Sequence, residues 1–396
     1  MMAWALALLL ALDDVTIVTA ANESIAARDA VLELRGGELS VSWADAAGNK
    51  GVLQAADLVE IIFGRARPPA ARPGHDEVEI TLTTGDVLVG RLGPRSDEGV
   101  RLRSPVYGDP LLKFEQVRGI VFPANRSSLP KALPKPAVDD VVLMASGDLA
   151  LGTVNSVSDA GVVYKSKSLG EVTKALADMV GLWLVETNPP PKEPAGLFAI
   201  VLTRDGSSMR GEVRSLKDGV LTFRDLFGNE RTIARDAVSG LYWKNGRVVY
   251  LSDLQPSAVD EDANFIRGPR KSPSDLEYPF QRDRSAKGTR LVLGGVEHRK
   301  GLGVRARSVL SYSLGGAFKR FQAVVGLDDV SLGLGAVSAE VWVDGVRAKE
   351  FTIRGNDAPR PLDLDVSGSK DLRLVVTWAG HGQSDFADWG SARLIR

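Results

Sequence analysis

Between Trp378 and Asp385 the chain reads WAGHGQSD, which sets an indole (Trp378), an imidazole (His381), an amide (Gln383) and a carboxylate (Asp385) within eight residues. That set can hold a saccharide, because an aromatic ring stacks on the apolar C–H face of a pyranose while a few fixed polar groups read its hydroxyls. Gly380 and Gly382 leave the backbone free to curve around such a ligand. A competing reading makes Trp378 the inward end of the strand VVTW.

Bond-breaking chemistry finds less support. Asp328 and Asp329 follow a strand in VGLDD, but glycoside hydrolysis needs two carboxyl groups roughly 5–10 Å apart across a cleft. Adjacent carboxylates read instead as one turn cap and one exposed group. GLGVRARS and GLGLGA lack both the GxGxxG spacing and a βαβ context, and no P-loop, HExxH, GxSxG or calcium-loop motif occurs. The chain has no cysteine, which excludes disulfides, thiolate zinc sites, iron–sulfur clusters and a thiol nucleophile. Its three histidines, His75, His298 and His381, would all have to converge to make an all-imidazole metal site. No catalytic residue is assigned.

Lys plus Arg number 49 against 50 Asp plus Glu over 396 residues, so no net field attracts nucleic acid. That length calls for several domains. Residues 3–12, AWALALLLAL, are too short to span a bilayer, which takes about 20 apolar residues, and match the apolar core of an export signal. With small residues at Thr19, Ala20 and Ala21, a leader over 1–21 is expected, placing the mature chain outside the cell or in the periplasm or envelope. No transmembrane segment is expected.

Three segments repeat one another. They begin VEITLTTGDVLVGRL, DDVVLMASGDLALGTV and FAIVLTRDGSSMRGEV, with turn glycines at Gly85, Gly147 and Gly206. They close on VRGIVF, MVGLWL and VSGLYW, with glycines at Gly119, Gly181 and Gly240; the first-to-last glycine separation is 34 residues each time. Period-2 alternation broken by tight turns predicts four or five short strands per copy, in a small Sm-like or SH3-like barrel. Barrels are expected at 75–127, 137–187 and 195–246, with a degenerate copy at 22–66. Proline-rich stretches at 67–74, 128–136 and 188–194 join them. Such barrels are candidate protein-interaction modules.

From 247 onward the 34-residue spacing disappears. Alternating runs such as RFQAVVGL, SAEVWVDG and DLRLVVTW predict an antiparallel jelly-roll sandwich, with Asp344-Gly345 as a hairpin turn. The overall class is thus all-β: tandem barrels followed by a sandwich. The strings YLSDLQP, KGLGVRARSVLSYSL, FKRFQAVVGLDD, AEVWVDG, DLDVSGSKDLRLVV and SDFADWGSARLI, in that order over 247–396, resemble the NPCBM/NEW2 family of carbohydrate-binding modules.

The resemblance implies a galactose-binding-like sandwich that binds glycans without catalysis. The family often carries His where this chain has Arg305 and Phe386, so Arg305 joins the candidate sugar contacts, with His298 bordering the same end. Asp388 and Trp389, in DFADWG, stand out by the same resemblance; Trp389 reads as core. Sandwiches of this type often hold calcium, which makes Asp385 and Asp388 the candidate ligands of a structural ion and of no other cofactor. The alternative function is a structural or protein-interaction protein of the cell envelope that does not bind sugar.

Overall fold

Strand formation follows local alternation. In Val78–Leu82 the buried Val78, Ile80 and Leu82 alternate with half-exposed Glu79 and Thr81, the pattern of a strand with one face on a core. The computed structural model describes residues 15–21, 23–64, 76–130, 133–167, 169–261, 278–380 and 384–396. These residues form strands and short 3-10 turns with no α-helix, and the chain divides into two units, 1–246 and 247–396.

The first unit contains four five-stranded copies. The first comprises β1 (Val15–Thr19), β2 (Ser24–Ala27) continued by β3 (Asp29–Arg35), β4 (Glu38–Ala44), β5 (Lys50–Gln54) and β6 (Leu58–Phe63). The second comprises β7 (Val78–Leu82), β8 (Val87–Leu92), β9 (Gly99–Arg103), β10 (Leu111–Lys113) and β11 (Val117–Val121). The third comprises β12 (Asp140–Met144), β13 (Leu149–Ser158), β14 (Gly161–Ser166), β15 (Gly170–Lys174) and β16 (Met179–Trp183). The fourth comprises β17 (Phe198–Thr203), β18 (Ser208–Lys217), β19 (Val220–Asp225), β20 (Glu230–Ala234) and β21 (Val238–Lys244).

In each copy successive strands pair as hairpins, a single 3-10 turn follows, and the last strand returns to pair with the first; β7–β8–β9–β10 with β11 on β7 is one instance. Gly85, Gly147 and Gly206 hold φ of 83°, 92° and 94° in the first hairpin, a region that disfavours residues with a Cβ. Each closing strand meets its first strand with a register shift, and such bulges bend a sheet toward closure.

The first copy is more complete than the sequence suggests. Residues 1–14 lie outside the described residues, but Val15 and Ile17 of β1 are core residues paired to both β2 and β6. Cleavage near Thr19–Ala21 would therefore remove a strand of this copy, whose strands span Val15–Phe63 rather than beginning at residue 22.

Closing strands also pair between copies. β11 lies against β16, with Gly119 opposite Trp183 and Val121 opposite Gly181; β21 lies against β6. A Cβ at Gly181 would sit 2.6 Å from the Ile120 carbonyl oxygen, and one at Gly119 would sit 2.7 Å from the Trp183 ring. These glycines thus permit close approach of two barrels. The copies join out of sequence order, first with fourth and second with third.

The second unit is a two-sheet sandwich. One sheet orders β24 (Gln281–Arg282), β27 (Gly301–Arg305), β34 (Phe386–Ile395), β29 (Arg320–Leu327) and β32 (Arg360–Asp365), with β22 (Val248–Tyr250) also on β34. The other orders β23 (Ala258–Glu261), β28 (Ser308–Ser313), β33 (Asp371–Trp378), β30 (Ala336–Val343) and β31 (Val346–Arg354). β25 (Leu291–Leu293) and β26 (Val296–His298) form a separate hairpin. Leu302, Phe321, Val325, Tyr312, Val341 and Trp389 fill the space between the sheets, so Trp389 is core. Asp344 and Gly345 turn β30 into β31 at φ of 48° and 78°, as an Asp-Gly hairpin requires.

Candidate functional site at the rim of the sandwich

The loop after β33 is anchored at both ends on one residue. The Ala379 amide donates to the Ala336 carbonyl at 3.0 Å, and the Ala336 amide donates to Asp385 Oδ1 at 2.9 Å. The Asp385 carbonyl accepts from the Ala306 amide at 3.0 Å, tying the loop to the end of β27. Trp378 shares the inward face of Leu374 and Val376 and stands opposite buried Val337, but it is the last residue of β33, where the core ends, and is 39% exposed there. His381 and Gln383 lie outside the described residues. Asp385 is buried and its carboxylate serves the loop anchor; burial raises its pKa against the pull of the Ala336 amide and Arg305.

Arg305 stands at the same rim, opposite Phe386 in the β27–β34 ladder. Its guanidinium lies 5.4 Å from the Tyr278 ring and 5.5 Å from the Phe386 ring. Tyr278 meets Phe386 edge-on at 5.2 Å, and Lys287 Nζ lies 4.5 Å over Phe386. Buried Phe386 is the floor of this group, while half-buried Tyr278 and exposed Lys287 form its outer part. Tyr278 and Lys287 escaped the sequence reading because their stretch shows no alternation. The Phe386 position was the available clue, since an aromatic beside Arg305 invites cation–π contact.

His298 is not part of this rim. Its ring packs on Gly390, where a Cβ would fall 2.7 Å from the imidazole, and Nδ1 is 3.0 Å from Ser391 Oγ. Gly390 and Phe386 are four residues apart on β34, on the order of 13 Å at strand rise. His298 therefore packs well away from Arg305, and burial pushes its pKa down.

The carboxylates divide into turn caps and a buried pair. Asp329 accepts from the Gly294 and Gly295 amides at 2.8 Å each, and Asp328 Oδ1 accepts from Val330 at 2.7 Å. Asp388 is fully buried, and neither of its carboxylate oxygens has a hydrogen-bond partner in protein groups; Asp328 Oδ2 and Asp385 Oδ2 are in the same state. Burial, followed by the neighbouring Asp328 carboxyl, pushes the Asp388 pKa well above the usual carboxylate range. The neighbour of Asp388 is thus Asp328 rather than Asp385. Among the described residues no three acidic or imidazole side chains converge on a possible metal position.

A second surface lies on the outer face of the five-stranded sheet. Asp260, Arg307, Glu340, Trp342 and Arg373 line a shallow groove of about 440 Å³. Trp342 Nε1 donates to Glu340 at 2.7 Å, and Arg307 pairs with Asp260 at 2.8 Å.

The rim thus places a partly exposed aromatic and a cation at one end of a β-sandwich, where loop-borne sites commonly lie. Residues 247–395 match the NPCBM/NEW2 domain, and the second unit is a domain of that family. A curated protein of Renibacterium salmoninarum, named "Putative endo-alpha-N-acetylgalactosaminidase", is 29% identical over 133 residues; the match covers 31% of this chain and 9% of that protein's length. Among solved structures, CBM51 from Clostridium perfringens GH95 in complex with methyl-galactose is 26% identical, with 37% of this chain and 99% of that chain covered and a TM-score of 0.32. The CBM51-2 and INT domains of Clostridium perfringens ZmpB are 25% identical, with 45% and 36% covered and a TM-score of 0.33.

Proposed function

We propose that the C-terminal sandwich binds a glycan at its rim, without catalysis, in a protein exported from the cytosol. The observation that carries this reading is the partly exposed Trp378 at the end of β33, at the same end of the sandwich as Arg305, whose neighbour Ala306 bonds Asp385, in a domain of the NPCBM/NEW2 family. The indole supplies the stacking face, and the Arg305 guanidinium, steadied by Tyr278 and Phe386, supplies directed donors for sugar hydroxyls. The glycosidase name of the Renibacterium protein fits an accessory module, since the shared segment is a small part of its length. The apolar run at 3–12 is the support for export. No helix among the described residues is long and apolar enough to cross a membrane.

A glycan array with the full chain, read beside Trp378→Ala and Trp342→Ala, tests the proposal. Binding that is lost with Trp378→Ala and kept with Trp342→Ala places the sugar on the rim. The opposite pattern moves it to the sheet-face groove, and no binding to any glycan favours an interaction protein. That second function has its own support in the barrels, where a strand edge carries two exposed leucines.

A further inference from the structure

The four copies form a row in which two kinds of contact alternate. First meets fourth, and second meets third, through their closing strands. Fourth meets second through the starts of their second strands, where Ser208 of β18 stands opposite Val87 of β8. This middle contact is nearly symmetric. The Arg210 amide donates to Asp86 Oδ1 at 3.0 Å, and the Val89 amide donates to Ser207 Oγ at 2.9 Å. Asp86 and Ser207 are equivalent positions of the repeat, four residues before Gly90 and Gly211, as are Val89 and Arg210, one residue before them. Each barrel thus offers one side-chain acceptor and one outward amide, and takes the other's.

The third copy has the same device with no described strand paired to it. Asp148, Leu149 and Leu151 precede Gly152 at the spacing of Asp86, Val87 and Val89 before Gly90. Ser146 Oγ donates to Asp148 Oδ2 at 2.8 Å, as Thr84 Oγ1 donates to Asp86 Oδ2 at 2.8 Å. In the second copy this leaves Oδ1 for the neighbouring barrel. β14 joins β13 only from Gly152 onward, and no other described strand lies along the outer edge of Leu149–Leu151. Asp86, Val89 and Ser207 are buried in the middle contact, whereas Leu149 and Leu151 are 60% and 49% exposed.

We propose that this edge docks on the same edge of a second copy of the chain, forming an isologous dimer through the third barrels. Asp148 of each copy accepts the Leu151 amide of the other, and the two Leu149 side chains meet across the axis. Three features select this occupant. The middle contact already shows two repeat copies mating at this edge. Two equal acceptor–amide pairs satisfy a two-fold axis, the commonest closed symmetry. An open strand edge flanked by exposed leucines recruits another strand when nothing covers it.

Sedimentation velocity of the full chain over about 1–100 µM, the range for a modest interface, is expected to show a monomer–dimer equilibrium, with Leu151→Lys raising the dissociation constant at least tenfold. The absence of native cysteine allows a second readout. Under mild oxidation Leu149→Cys is expected to give a disulfide-linked dimer, because facing strand positions lie within disulfide reach, while Val346→Cys, an exposed control on the sandwich, is not. A chain that stays monomeric throughout, a dimer indifferent to Leu151→Lys, equal cross-linking at both cysteines, or growth beyond the dimer would each overturn the proposal. If Leu151→Lys fails to fold, the cysteine pair still decides.

Discussion

Trp378 and Asp388 show how differently one strand's end and its neighbour's interior use their residues. Trp378→Ala removes the exposed ring from the rim and should weaken glycan binding by about tenfold or more, equivalent to about 1.4 kcal/mol, with the melting temperature nearly unchanged. Titration with the best array glycan checks this. Asp388 has a pKa raised by burial and by Asp328. As pH climbs through the ordinary carboxylate range the unfolded chain ionises while folded Asp388 keeps its proton, so its contribution to stability is present at low pH and lost as pH rises through its raised folded value. Asp388→Asn keeps the shape without the charge and should raise the melting temperature at pH 8 by about 3 °C or more, with little change near pH 4. Were a cation bound there instead, the same variant would melt lower and EDTA would destabilise the native chain but not the variant.

At the scale of the element, the closing strands are the critical pieces of the barrels, since each pairs on both edges. Gly181→Ala would drive a Cβ against the Ile120 carbonyl and is expected to cost about 1–3 kcal/mol, read as a lower melting temperature. Gly147→Ala strains a turn with open space around it and should cost only about 1 kcal/mol through its positive φ. The 34-residue spacing made these glycines visible, and the Gly85, Gly147 and Gly206 turns followed from local rules of hairpin geometry. What β16 pairs with on its second edge was hidden, because a strand buried on both edges reads no differently from one at a barrel seam. β1 was hidden for a related reason: Val15–Thr19 lies between the apolar run and the small residues Ala20 and Ala21, where it reads as part of a leader, and only its pairing with β2 and β6 shows a strand.

For the whole molecule, a dimer through the third barrels gives two rim sites per assembly. Leu151→Lys should then lower apparent affinity for a densely glycosylated surface by about tenfold or more, through lost avidity, and leave affinity for the free sugar in solution unaltered. Surface plasmon resonance on high- and low-density glycan chips separates these outcomes. The sequence by itself determined the all-β class, the repeat, the hairpin turns and the NPCBM/NEW2 resemblance of 247–396, since alternation, turn chemistry and ordered motifs are written in neighbouring residues. Only the tertiary structure decided that Trp378 sits where the core ends and is partly exposed, that His298 packs away from Arg305, that Asp388 meets Asp328, and that the barrels join out of order and, among the described residues, leave the Leu149–Leu151 edge open. Those outcomes depend on register and on contacts between segments far apart in the chain, where shifting a strand by one residue turns every side chain to its other face.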